Sequence, residues 1–309
     1  MSEKQPPNVT TATPAPTGKT YINKAYMAKA GELPANEIFV RDIAFRLAKT
    51  DILEEGKMSG FAIYMAASRR SGKNVLLRNL LYHLDDFVQW DAVFVFSNTA
   101  FGGQFDYIPN RYQYGGWSEK EANIVQDILE RQRDIIEHNK EATTEAEKRP
   151  VPRLLFIFDD IMGQAFGDDK SSNLWQGKKN KVLSSMFYCG RHLNCSQIVL
   201  LQRYKGFSSV RSNADMLIGW RSPSHIERRS MIDDHLTCCS SMNPEERRAC
   251  ERCYESCFKS RFHACVVDLA GSHAKTELTN YMYCVCVKEE EMDLKFGLGP
   301  EHHWENSPN

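Results

Sequence analysis

Residues 61–74, Phe-Ala-Ile-Tyr-Met-Ala-Ala-Ser-Arg-Arg-Ser-Gly-Lys-Asn, decide the fold. An apolar run with strand character empties into a short polar turn. Gly72-Lys73 then opens an apolar-periodic helix, Val75-Leu76-Leu77-Arg78-Asn79-Leu80-Leu81. Strand, turn and helix in that order are what a P-loop requires: backbone N–H groups and a helix N-terminus converge on phosphate, and a lysine adds a mobile charge. The candidate nucleotide-binding residues are therefore Ala67, Ser68, Arg69, Arg70, Ser71, Gly72, Lys73 and Asn74. Against the pattern G-x-x-x-x-G-K-[ST], Ala67 stands at the first glycine and Asn74 at the final hydroxyl residue. Ala67 gives up the tight-turn freedom of glycine. Asn74 replaces a hydroxyl ligand for Mg²⁺ with an amide whose carbonyl can still coordinate. These departures bear on hydrolysis more than on nucleotide binding.

Residues 153–160, Arg-Leu-Leu-Phe-Ile-Phe-Asp-Asp, read as a strand buried on both faces that ends in two carboxylates. An isolated Asp-Asp pair more often caps a turn. Downstream of a P-loop, with a further strand and helix between, acids at the C-terminal end of a parallel strand stand where open α/β sheets bind ligands. Asp159 is then the candidate Mg²⁺ residue, and Asp160 the one that orients or deprotonates the attacking water.

Outward from these two segments, the pattern predicts strands at 61–67, 92–97, 197–201 and 216–220 and helices at 72–84, 181–190 and 224–234. A charged helical region covers 118–148, and residues 99–117 and 163–180 read as long loops. Alternating strands and helices imply a mostly parallel α/β sheet with right-handed crossovers. Two later strand-like segments, 262–269 and 281–287, are expected to pair as an antiparallel edge hairpin. Residues 1–32 read as a largely disordered tail rich in Pro, Thr and Ser, 33–290 as the ATPase domain, and 291–309 as a polar C-terminal tail.

The 309 residues are 42% hydrophobic, enough for one large α/β domain, and the net charge of −1 advertises no global field for nucleic acid. No apolar stretch approaches the ~20 residues that span a bilayer, and the polar N-terminus lacks a signal-peptide core. The expectation is a soluble intracellular protein. Short basic clusters, Lys178-Lys179 with Lys181 and Arg203-Tyr204-Lys205, are either solvated faces or sites of phosphate contact without base readout.

Several blocks together resemble the poxvirus-type genome-packaging ATPases of large DNA viruses, in the FtsK–HerA superfamily of P-loop NTPases. They are Phe187-Tyr188-Cys189-Gly190-Arg191-His192-Leu193-Asn194-Cys195-Ser196, the strand ending at Gln202, and Val210-Arg211-Ser212-Asn213-Ala214-Asp215. The resemblance covers about 58–235. It implies a RecA-like fold and a homo-oligomeric ring that hydrolyses ATP with magnesium. The ring would drive double-stranded DNA into a preformed capsid, acting with a capsid or portal-vertex protein in the virus factory of the host cytoplasm or in the virion. It further implies Lys73 as the phosphate lysine, Asp159 as the Walker-B acid, Asp160 as the catalytic acid and Gln202 as the sensor. Arg191 and Arg211 are the candidates for an arginine finger acting on a neighbouring subunit. Two other readings stand beside this one: a hydrolytically weak nucleotide-binding structural subunit, and a non-viral DNA translocase of the same superfamily.

Six of the ten cysteines lie between Cys238 and Cys265. Asn243-Pro244-Glu245-Glu246 has the form of a helix start. On that helix Cys250, Cys253 and Cys257 share one face, turned toward Cys238 and Cys239. The insert at 236–257 could hold Zn²⁺ with four thiolates (Cys238, Cys250, Cys253 and Cys257), carry disulfides, or pack free thiols as small hydrophobes. His235 and His263 are further candidate ligands.

Overall fold

The computed structural model describes residues 36–52, 60–161, 178–204, 208–236, 244–259, 262–270, 281–300 and 303. Nine strands among them form one sheet: β1 (Asn36–Ile38), β2 (Ala62–Ala66), β3 (Ala92–Ser97), β4 (Gln113–Tyr114), β5 (Leu154–Asp159), β6 (Cys195–Leu201), β7 (Met216–Gly219), β8 (His263–Asp268) and β9 (Met282–Cys286). Their order is β1-β9-β8-β7-β2-β6-β5-β3-β4. The central run from β7 to β4 is parallel throughout. The strand that leads into the P-loop therefore lies between β7 and β6, and β6 separates it from the strand that carries the two acids.

Burial on both faces explains the near-continuous apolar runs. Leu154, Phe156 and Phe158 of β5 face one core, and Leu155 and Ile157 face the other. The first core is covered by α3 (Glu119–Glu141), α4 (Lys178–Cys189) and, after the short α5 (Ser208–Arg211) and α6 (His225–Met231), α7 (Pro244–Ser256); the second is covered by α1 (Val40–Ile52) and α2 (Lys73–Asp85). Rings stack across the strands of the first core: Phe94 on Phe156 and Phe96 on Phe158, each at 5.2 Å, with fully buried Trp117 edge-on to Phe158 at 5.0 Å. The start of α3 is set by a capping box in which Ser118 Oγ accepts from Lys120 N and Glu121 accepts from Ser118 N.

Two expectations change, and a segment with no element read from sequence joins the sheet. β8 and β9 are antiparallel, as the sequence suggests, but they are not the edge of the sheet, because β1 pairs parallel to β9 beyond them. β9 is buried on both faces along most of its length, and an edge there would leave its backbone groups unpaired. The segment ahead of the P-loop, 36–52, supplies both β1 and the buried face of α1. The loop 99–117 contributes a short edge strand, β4.

The cysteine-bearing helix packs on the main sheet. α7 begins at Pro244, as the sequence signals, and Cys250, Cys253 and Cys257 join the first core beside Cys265 and Cys284. Tyr254 Oη donates to the carbonyl of Trp220 (3.3 Å), and Arg247 pairs with Asp233. Burial pushes the Cys253 thiol up to about 11. Among the described residues no group of three or more His, Cys, Asp or Glu is arranged to hold a metal ion. Cys238 and Cys239, on which the four-thiolate reading depends, lie outside the described residues, as do residues 1–32. His235 is held neutral by burial, which pushes it down to about 4.

This packing predicts a labelling pattern. In native reduced protein, exposed Cys189 reacts with a thiol reagent at once, whereas Cys250, Cys253 and Cys257 react only on global unfolding. Raising the Cys253 thiol from 9.0 to about 11 alone lowers its thiolate fraction about a hundredfold. Rapid labelling of these three after chelation, in protein that remains folded, would show that a metal and not packing protects them.

Candidate active site

The parallel register brings the C-terminal ends of four strands to one level. Ala66 pairs with Leu201, Leu200 with Asp159, and Asp159 with Ser97. Each strand then releases a different piece of the site: the P-loop from β2, Gln202 from β6, the acids from β5, and the loop 98–104 from β3.

The P-loop turns without needing a glycine at its first position. Ala67 is buried, and its N–H donates to Leu201 O at 2.9 Å, which continues the β2–β6 ladder. The left-handed positions are Arg70 (φ 60°) and Gly72 (φ 95°), so glycine's freedom is required at Gly72 and not at Ala67. Gly72 is the N-cap of α2 and carries no side-chain cap, while the first backbone bond of the helix runs from Leu76 N to Gly72 O. The amides of the first turn therefore have no acceptor within the helix. Ser71 Oγ is enclosed without a hydrogen-bond partner.

Lys73 Nζ lies 2.7 Å from Asp159 Oδ1, with the lysine side chain 15% exposed and the aspartate 2%. Ser97 Oγ donates to the other carboxylate oxygen at 3.0 Å, and Gln104 Nε2 approaches the same oxygen at 3.3 Å. Asn74 Nδ2 donates to Gln104 Oε1 at 2.8 Å, which leaves Asn74 Oδ1 enclosed and without a partner. An orphan amide oxygen on the P-loop and a carboxylate linked to it through Gln104 make a hard-oxygen donor set, and such a set suits magnesium. Asn74 and Asp159 are the residues that would hold the ion.

A second chain of contacts surrounds Asp160. Gln202 Nε2 donates to Asp160 Oδ2, and Gln202 Oε1 accepts from Arg69 Nε at 3.1 Å. The predicted sensor thus joins the P-loop directly to the predicted catalytic acid. Asp160 has φ 52°, a conformation that Asp tolerates better than most residues, and Asn98 Nδ2 reaches its carbonyl at 3.3 Å. Ser68, Arg69 and Arg70 line the same turn, with the two arginines exposed.

The two arginine candidates part company. Arg191 is exposed in the turn Gly190–Leu193, which feeds the N-terminal end of β6. Since β6 and β2 are parallel, Arg191 lies at the end of the sheet opposite its own P-loop. A Cβ at Gly190 would come within 2.5 Å of Gln197 Oε1, so that side chain would have to shift. Arg211 is tied down: its guanidinium pairs with Asp234 at 2.9 Å, donates to Tyr204 O at 3.3 Å and lies 4.7 Å from the centre of the Tyr204 ring. In the same block, Asp215 Oδ2 accepts from Ala62 N at 2.8 Å and so joins the starts of β7 and β2. Of the basic clusters, Lys181 and Arg203 are exposed, whereas Lys205 and the side chains of Lys178 and Lys179 lie outside the described residues.

Sequence reading missed Gln104, which lies in the loop after β3, and the pairing of Arg69 with Gln202. Neither carries a local signal, because polar residues in a loop are the rule.

The family model described as Poxvirus A32 protein matches residues 53–218, which span the P-loop, both acids, Gln202 and both arginine candidates. No curated protein matches the chain. Among solved structures, the monomeric conjugation coupling protein TcpA of pCW3 with ATPγS is similar at 12% identity and a TM-score of 0.46. The match covers 68% of this chain and 57% of that one. The cytoplasmic domain of the type VII secretion ATPase EccC of Thermomonospora curvata has 16% identity and a TM-score of 0.46, over 82% of this chain and 30% of that one. The genome packaging NTPase B204 of Sulfolobus turreted icosahedral virus 2, in complex with sulfate, has 14% identity and a TM-score of 0.42, over 68% of this chain and 92% of that one. The chain thus spans less than two thirds of the first two of these structures.

Proposed function

The chain belongs to the poxvirus A32 protein family, and on that premise we propose that it is a DNA-packaging ATPase, a ring-forming motor that moves double-stranded viral DNA into a preformed capsid. The observation that carries this reading is the convergence of Lys73, Asp159, Asp160 and Gln202 at the C-terminal ends of adjacent parallel strands.

The division of labour follows from the contacts. Lys73 exchanges its ion pair with Asp159 for contact with the β- and γ-phosphates, and the first-turn amides of α2 receive the phosphate oxygens. Magnesium held by Asn74 and Asp159 would neutralise charge on the transferring phosphoryl group. Asp160 orients the attacking water and takes its proton. Gln202 keeps Asp160 in place and, through Arg69, registers changes at the P-loop.

Between subunits, Arg191 is the better arginine-finger candidate, being exposed at the opposite end of the sheet, while Arg211 is engaged by Asp234 and Tyr204. Lys181 and Arg203 are the described basic residues available for phosphate contact, which a translocase needs without base readout. A capsid or portal-vertex partner, and a place in the virus factory or virion, complete the proposal. Among the described residues no helix is long and apolar enough to cross a membrane.

The test is ATP turnover with and without duplex DNA, in wild type and in Asn74→Thr. We expect DNA-stimulated turnover in wild type, and activity in Asn74→Thr that is equal or higher. Tight nucleotide binding with no wild-type turnover in either condition, restored in the Thr variant, would instead favour the hydrolytically weak structural subunit.

A further inference from the structure

We propose that Gln104 is a positioning residue that turns the Asn74 amide so that its oxygen, and not its nitrogen, faces the cation. This inference rests on the nucleotide-site reading above and adds a residue to it.

A hydroxyl at the last P-loop position offers an oxygen in every orientation, whereas an amide offers an oxygen on one branch and an N–H donor on the other. Hard cations take oxygen ligands, so a flipped amide would point a donor dipole at the ion. Asn74 therefore needs an orienting partner that a Ser or Thr would not. The neighbouring contacts supply one, in a fixed sequence. Asp159, paired with the Lys73 ammonium at 2.7 Å, is an acceptor. Gln104 must accordingly present its nitrogen to Asp159 Oδ2 (3.3 Å), and that nitrogen also meets Thr99 Oγ1 and Ser97 Oγ. Its oxygen is left facing Asn74, and only the Asn74 nitrogen can satisfy it, as it does at 2.8 Å. Asn74 Oδ1 is then forced onto the other branch, where it is enclosed with no hydrogen-bond partner. The carboxylate thus dictates the Asn74 orientation through Gln104.

The experiment is a double-mutant cycle over Gln104→Ala and Asn74→Thr. It is read as the affinity for a non-hydrolysable ATP analogue, titrated with magnesium and repeated in excess chelator. In the Asn74 background, Gln104→Ala is expected to raise the magnesium concentration for half-saturation about 10–100-fold, the usual cost of removing a group that orients a metal ligand. Affinity in chelator should be unchanged. Gln104→Leu keeps much of the bulk but offers Asn74 Nδ2 no acceptor, and should behave as Gln104→Ala does. In the Asn74→Thr background, neither change should shift the magnesium requirement. An equal shift in both backgrounds, or none in either, overturns the proposal, since Gln104 would then be structural or idle. Failure of wild type to bind the analogue under any condition would overturn the nucleotide-site reading itself, and this inference with it.

Discussion

Asp160→Asn is expected to bind ATP with wild-type affinity and to turn it over about 10²–10⁴-fold more slowly, the range for loss of a positioned general base. The side chain accepts from Gln202 and makes no ion pair with Lys73, which engages Asp159 instead. Its contribution therefore falls on the attacking water and not on the bound phosphates, and only interactions strengthened in the transition state affect the chemical step. Asparagine tolerates the φ of 52° at this position, so the substitution leaves the turn intact. Equilibrium titration with an ATP analogue, alongside steady-state turnover, checks both halves. A parallel loss of affinity would move Asp160 into the ground-state binding set, and unaltered turnover would remove it from the chemistry.

Lys73→Ala is expected to abolish nucleotide binding and, separately, to destabilise the protein by about 3–5 kcal/mol, the cost of leaving one member of a buried ion pair without its partner. Asp159 is 2% exposed, and Ser97 and Gln104 alone would then remain to it. The two effects come apart in Lys73→Ala/Asp159→Asn. Removing the stranded charge should recover most of the lost stability, measured by denaturant melts, without recovering nucleotide affinity. Wild-type affinity and activity in Lys73→Ala would refute the P-loop assignment. A stability loss that persists in the double variant would show that Lys73 matters to the fold through its packing and not through its charge.

These predictions divide along what could be read locally. The strand that ends in Asp159-Asp160, the turn that ends in Gly72-Lys73, and the start of α7 at Pro244 were legible because each is a contiguous pattern whose meaning lies in its neighbours along the chain. A buried parallel strand must be apolar on both faces, a P-loop must end in a helix N-terminus, and proline suits the first turn of a helix, where an N–H would find no acceptor within the helix. The blocks around Arg191, Gln202 and Asp215 carried the family for the same reason, and the family model matches across them.

The remaining features were set by register between distant segments, which no local window contains. Gln104 meets Asn74 from 30 residues away, and Arg69 meets Gln202 from 133, because parallel pairing brings the ends of β2, β3, β5 and β6 to one level. Arg191 and Arg211 read alike in sequence, yet Asp234 and Tyr204 engage only Arg211. Cys250, Cys253 and Cys257 share a helical face, as their spacing dictates, but that face turns to Cys265 and Cys284 in the core of the sheet. Burying β9 on both faces required a partner beyond it, which came from the opposite end of the chain as β1. Residue type and spacing by themselves determined which elements form and what chemistry they can carry; tertiary pairing decided which of those groups touch, because contact depends on strand register and on the need to satisfy every buried backbone and polar group at once.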